Sequence, residues 1–273
     1  MFASPAASSF EPLSRQYKDA SNLQARSDLH GRFRTNRYGW MRWIFDHFDL
    51  PPSCRVLDVG CGDGGLWDSN RQRIGEGWHI NLMDFSAGMI AEARRRLGDL
   101  PFDVRFVVAD AHRIPFEDGS FDVVIANHML YHLSDLDRGM REIRRVLKPG
   151  RSLYASTNGL DHMRELRNLV RSFAPDLPFV RAHTAVGFGL ENGADHLAGH
   201  FEGIERSHYE DSLAVTETEP LLAYVLSVMG AREVLTPGAI AEIRRIIDER
   251  ISFAGAFHIT KCQGMFVARR AAA

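Results

Sequence analysis

Apolar and polar positions change period along this chain, and each change marks an element. Residues 11–30 and 38–48 carry helix-like patterns around Gly31 and Gly39, and Pro51-Pro52 closes that segment. Arg55–Val59 then reads as a short buried strand. After it, apolar runs at Trp78–Met83, Val104–Ala109, Phe121–Ala126 and Ser152–Ala155 predict strands, while 86–97 and 134–147 show the 3.6-residue period of amphipathic helices. Strand and helix in alternation imply a mainly parallel sheet with helices on both faces.

Two of the helices have recognisable starts. Ser86 stands ahead of Met89, Ile90, Ala93 and Leu97, and Ser134 ahead of Leu136, Met140, Ile143 and Leu147, so each serine is the expected N-cap. From about 158 the alternation fails. A helical stretch over 161–173 meets Pro175 and Pro178, three glycines follow at 187, 189 and 193, and another helix-like stretch covers 194–201. Glu205–Val215 and Phe257–Ala268 read as two long strands separated by an apolar helix near 219–229 and a charged one at 237–250. The resulting expectation has four parts: an N-terminal helical cap over 1–50, a core over 51–157, a lid over 158–204, and C-terminal edge strands over 205–273 whose helical insert covers 219–250.

Charge and composition narrow the partners. Lys and Arg number 33 against 35 Asp and Glu, which leaves no basic excess for a phosphate backbone, so no nucleic-acid partner is expected. No apolar run approaches the roughly 20 residues of a membrane span, and the N-terminus lacks a secretory pattern. Cys54, Cys61 and Cys262 are too few and too scattered for a disulfide framework or a zinc site, which suits a reducing cytoplasm and predicts no metal. The apolar segment Pro220–Met229 suits burial, a subunit interface or an apolar substrate channel, and the N-terminal helical segment suits packing on a neighbouring subunit, so a homo-oligomer is expected.

The candidate chemistry begins where Val56–Val59 runs into Gly60-Cys61-Gly62-Asp63-Gly64-Gly65. Glycines allow positive φ angles and close approach of a ligand to the backbone, but Gly60, Gly62 and Gly65 would also satisfy a dinucleotide fingerprint. Asp58, two residues before the first glycine, decides between the ligands. A carboxylate there repels a pyrophosphate, whereas it holds an ammonium group directly or through water.

With that acid in place, the chain resembles the class I S-adenosyl-L-methionine-dependent methyltransferases, and the broad type 11 subgroup in particular, which includes quinone-pathway and natural-product enzymes. The resemblance runs over roughly residues 55–157 in four ordered segments. They are the Asp58–Gly64 turn, Asp84 at the end of the second strand, Val108-Ala109-Asp110-Ala111, and Phe121–His128 followed by Arg144–Gly150. It implies a Rossmann-like, doubly wound α/β fold with a seven-stranded, mostly parallel sheet, an antiparallel edge hairpin, an N-terminal helical segment and a helical lid. It also implies S-adenosyl-L-methionine as cofactor, S-adenosyl-L-homocysteine as product and a small-molecule acceptor.

Carried onto this sequence, the family pattern gives a cofactor set of Asp58, Gly60, Cys61, Gly62 and Gly64 for the methionine end. Asp84 and Phe85 follow for the ribose region, with Asp84 standing 24 residues after Gly60 (84 − 60). Asp110 and Ala111 are implied at the adenine, and Asn127 at the methionine portion. Methyl transfer from a sulfonium is an in-line displacement whose leaving group is already activated, so no catalytic triad is required. Where the acceptor needs a base, His128 and His132 after the fourth strand are the candidates, and oxygen, nitrogen and carbon acceptors all remain open. Tyr17, Tyr38, His128, His162 and Phe188 are the candidate substrate-pocket residues. Aromatic residues of the 158–250 region favour an apolar acceptor, such as a secondary-metabolite or quinone-like intermediate. The competing readings are an RNA methyltransferase, an NAD-dependent oxidoreductase and an inactive protein that binds S-adenosylmethionine.

Overall fold

A computed structural model describes residues 21–99 and 103–272. The seven-stranded sheet comprises β1 (Ser53–Val59), β2 (Gly77–Asp84), β3 (Asp103–Val108), β4 (Phe121–Asn127), β5 (Leu147–Asn158), β6 (Glu202–Tyr209) and β9 (Gln263–Arg269). Across the sheet the order is β3-β2-β1-β4-β5-β9-β6. Pairing is parallel from β3 through to β5, and β9 runs antiparallel between β5 and β6. The expected α/β class and mostly parallel sheet are therefore borne out.

Burial follows position in the sheet. β4 is central and covered on both faces, so residues 121–126 are all buried, as a parallel core strand requires. The helix Ala87–Leu97 turns Met89, Ile90, Ala93 and Leu97 inward at helical spacing. Its cap is the predicted one, because the Ser86 side chain accepts from the Met89 N–H. The second cap differs from expectation. Asp135, not Ser134, closes the helix Leu136–Val146 by accepting from the Arg138 N–H. A carboxylate one residue later reaches the same orphan donors, and it also suits the positive end of the helix dipole.

The described residues form two compact units. One takes in residues up to Gly39, Leu160–His183 and Glu210–Cys262; the other takes in Trp40–Gly159, Thr184–Tyr209 and the chain from Gln263 onward. The second unit contains the seven-stranded sheet, and a core of Ile44, Phe45, Val56, Trp67, Ile80, Leu82 and Tyr154 lies on one of its faces. The first has its own core, in which Leu29, Leu166, Leu221, Leu222, Val225, Ile243 and Ile247 meet. The apolar segment Pro220–Met229 thus supplies buried side chains to this core.

The two long C-terminal strands predicted from the sequence are each broken in two. Glu202–Tyr209 and Gln263–Arg269 join the large sheet, while β7 (Ser212–Val215) and β8 (Phe257–Thr260) pair with each other in a separate two-stranded sheet, and Leu213 of β7 also bridges Arg34. At the breaks stand Asp211 and Lys261, joined at 2.6 Å, with side chains 0% and 3% exposed. Each polar residue interrupts its strand, and the two meet as a buried ion pair, an arrangement that apolar alternation by itself does not signal.

Candidate functional site

β1 delivers the chain into a turn that only glycine tolerates well. Gly60, Gly62 and Gly64 have φ of 70°, 57° and 78°, all left-handed. A Cβ on Gly60 would stand 2.6 Å from the Cβ of Met129, so the turn after β1 and the segment after β4 approach at backbone distance. β1 and β4 are neighbours from which the sheet winds in opposite directions, and ligands bind outside such a switch point at the carboxyl ends of the strands.

Asp58 lies at the root of the turn and is 1% exposed. Its Oδ2 accepts from the Trp67 indole N–H at 2.8 Å. Its Oδ1 is buried with no hydrogen-bond partner among the described residues. Burial pushes this carboxyl up to about 7, against the opposing bond from Trp67, and the nearby Asp84 charge adds to the rise. Cys61 is raised well above the ordinary thiol value, first by burial and then by Asp58 and Asp84, so it carries a thiol rather than a nucleophilic thiolate.

Asp84 ends β2 and braces the turn from the side. Its Oδ2 accepts from the Gly62 N–H at 3.0 Å and its Oδ1 from the Ser86 N–H at 2.8 Å. Burial also raises this carboxyl. Neither Asp58 nor Asp84 has an ion-pair partner among the described residues, whereas Asp63 of the same turn pairs with Arg96 at 2.8 Å. Phe85, the next residue, is 41% exposed. One strand further, Asp110 follows β3; its Oδ1 accepts from both the main-chain N–H and Nδ1 of His112, at 2.9 and 2.7 Å. Ala111 beside it is buried.

β4 ends at Asn127, whose Oδ1 accepts from the Ser156 hydroxyl. His128 follows with φ of 53°, a left-handed conformation uncommon for a side-chain-bearing residue. Its main-chain N–H reaches Ser156, and its Nε2 lies 3.3 Å from the Gln263 amide nitrogen, which also donates to Asn158 Oδ1. The His128 ring lies 5.2 Å from Trp40, which in turn meets Tyr209 and stacks on Trp43. His132 closes the short 3₁₀ turn Leu130–His132, its ring against Tyr131.

One unit therefore brings together Asp58, Gly60, Cys61, Gly62, Gly64, Asp84, Phe85, Asp110, Ala111, Asn127, His128 and His132. Phe188 belongs to the same unit but is fully buried against Phe266. Tyr38 and His162 belong to the other unit, where Tyr38 is half exposed and His162 Nδ1 accepts from the Cys262 N–H. Tyr17 lies outside the described residues. Sequence reasoning missed Trp67, His112, Ser156 and Gln263, whose partners come from turns or neighbouring strands and leave no periodic trace. Among the described residues, no group of three or more His, Cys, Asp or Glu is placed to hold a metal ion, and no helix is long and apolar enough to cross a membrane.

Residues 57–155 match the sequence model of the methyltransferase domain family. A ubiquinone/menaquinone biosynthesis C-methyltransferase, UbiE of Vibrio vulnificus, is 35% identical over 113 residues. That match spans 41% of this chain and 44% of the relative, so the chain covers less than half the length of the curated relative. Phosphoethanolamine N-methyltransferase 2 of Haemonchus contortus, solved with S-adenosyl-L-methionine, shares the fold with a TM-score of 0.62 at 21% identity, covering 99% of this chain and 61% of that one. The [4+2]-cyclase SpnF also shares it, with a TM-score of 0.57 at 21% identity over the whole of both chains. The resemblance of the core to class I S-adenosylmethionine-dependent methyltransferases is borne out over the matched segment.

Proposed function

We propose that this protein is an S-adenosylmethionine-dependent methyltransferase acting on a small-molecule acceptor. The observation that carries the reading is the buried Asp58 carboxylate, one oxygen of which has no partner among the described residues, at the root of a three-glycine left-handed turn. An ammonium group supplies both the missing partner and the missing charge. A pyrophosphate would add negative charge beside Asp58 and Asp84, which already lack cations.

The residues present fit the cofactor. Asp58 and the Gly60–Gly64 turn, with Cys61 and Asn127, would hold its methionine end, Asp84 and Phe85 its ribose region, and Asp110 and Ala111 its adenine. When bound, S-adenosylmethionine supplies an electrophilic methyl group on a leaving group that is already activated. The protein's own part is then to bind, orient and exclude water. Gly60 lets the backbone approach without a side chain, and Asp84 fixes the turn through the Gly62 N–H. His128 and His132 stand after β4 as candidate bases, and the neutral amide of Gln263 sets the orientation of the His128 ring. The quinone-pathway relative supports an apolar, quinone-like acceptor. Segments outside 57–155 are the proposed source of acceptor choice, because the family match stops there.

Calorimetric titration with S-adenosylmethionine, S-adenosylhomocysteine and NAD tests the reading. Micromolar binding of the first two, lost in Asp84→Ala and Asp110→Ala, is expected; NAD binding without a response to S-adenosylmethionine overturns it. Transfer of a labelled methyl group to a panel of quinols and terpenoids then separates a transferase from a protein that binds the cofactor without using it.

A further inference from the structure

We infer that His112 is the positioning residue for recognition of the cofactor's base. It sets which oxygen of Asp110 faces the ligand and welds the Asp110 loop to the start of the helix Leu136–Val146. The inference rests on the proposed role of Asp110 at the adenine.

The geometry fixes the direction of each bond. The main-chain N–H of Asp135 points at Nε2 of His112 across 3.2 Å, and a main-chain N–H can only donate. Nε2 therefore carries a lone pair, and the ring proton sits on Nδ1, from which it is donated to Asp110 Oδ1 at 2.7 Å. The same oxygen takes the His112 main-chain N–H at 2.9 Å. Oδ1 is thus occupied by two donors from one residue, while Oδ2 has no partner among the described residues. The Asp110 side chain is 42% exposed and the His112 side chain 8% exposed, so the occupied oxygen lies on the protein side. Arg138 completes the brace, its Nε donating to the His112 carbonyl at 3.0 Å.

A carboxylate held in this way selects for a donor. The exocyclic amino group of adenine can donate to Oδ2, whereas a 6-oxo group in the same place opposes two acceptors. Without His112 the Asp110 carboxylate loses a fixed rotamer and the Asp135 N–H loses its acceptor. Discrimination between the two bases should then fall even where the loop stays folded.

The test compares binding of S-adenosylhomocysteine with that of S-inosylhomocysteine, in which an oxo group replaces the amino group, in the full chain. Wild type should prefer the adenine compound by about tenfold or more, the cost of one mispaired hydrogen bond. His112→Leu and Asp110→Ala should each reduce that preference to about threefold or less. His112→Gln keeps one donor and one acceptor and should restore most of it. Preference lost in Asp110→Ala but kept in His112→Leu overturns the inference and leaves the reading of Asp110 intact. Tight binding of both compounds by wild type and Asp110→Ala alike overturns both. Nitrogen-15 shifts of the wild-type imidazole give a readout that does not depend on a variant folding. A protonated Nδ1 with an unprotonated Nε2 supports the arrangement, and the opposite tautomer overturns it.

Discussion

The indole N–H of Trp67 donates to Oδ2 of Asp58 at 2.8 Å, while Oδ1 of the same carboxylate is buried without a partner among the described residues. That half-satisfied acid links the stability of the ligand-free protein to its capacity to bind a cation. A buried carboxylate missing one partner is costly, and the cost is removed by protonation or by an incoming ammonium group.

The pH dependence follows from the sign of the shift. Burial raises the Asp58 carboxyl from 3.8 to about 7, so between those values the native state holds a proton that the unfolded chain has lost. Its stabilising share is complete below pH 4, declines as pH rises and is gone above about pH 7, a difference of about 4 kcal/mol. Urea unfolding at pH 5 and pH 8 should show this decline in the ligand-free wild type and lack it in Asp58→Asn. Affinity for S-adenosylhomocysteine should run the other way, weakening up to tenfold per unit as pH falls below about 7, because binding requires the ionised form.

Gly60→Ala places a Cβ 2.6 Å from that of Met129 at a φ of 70°. Strain and collision act together, and a loss of about 2 kcal/mol in stability is expected. S-adenosylhomocysteine binding should fall at least tenfold, measured by calorimetry at a temperature where the variant remains folded.

His128 pays for its left-handed backbone. At φ of 53° a β-branched side chain is disfavoured while asparagine is tolerated, so His128→Val should lower stability by about 1–3 kcal/mol more than His128→Asn. Equal denaturation midpoints for the two variants would show that the conformation carries no strain.

In the other unit, Lys261→Met leaves the fully buried Asp211 carboxylate without its cation. The main-chain N–H of Asn36 and the Thr35 hydroxyl still donate to that carboxylate, at 2.9 and 3.4 Å, but these hydrogen bonds do not replace a buried charge partner. A loss of about 3–5 kcal/mol is expected, largely recovered in the double variant Lys261→Met with Asp211→Leu. Chemical denaturation of the single and double variants measures both.

Order along the chain was sufficient for the five parallel strands of the sheet. β1 to β5 and the helix capped by Ser86 are local patterns of apolar spacing, and the Asp58–Gly64, Asp84 and Asp110 motifs lie at strand ends because strand and turn are contiguous in sequence. Only the tertiary structure decided what depends on distant partners. The break of the C-terminal strands at Asp211 and Lys261 requires two residues 50 apart to meet, and the bond from Trp67 to Asp58 requires the glycine turn to fold back. The orientation of Asp110 by His112 and Asp135, and the amide of Gln263 beside His128, have the same origin. Periodicity reports which face of an element is buried, whereas a hydrogen bond across the fold depends on which faces meet, and that is set by packing.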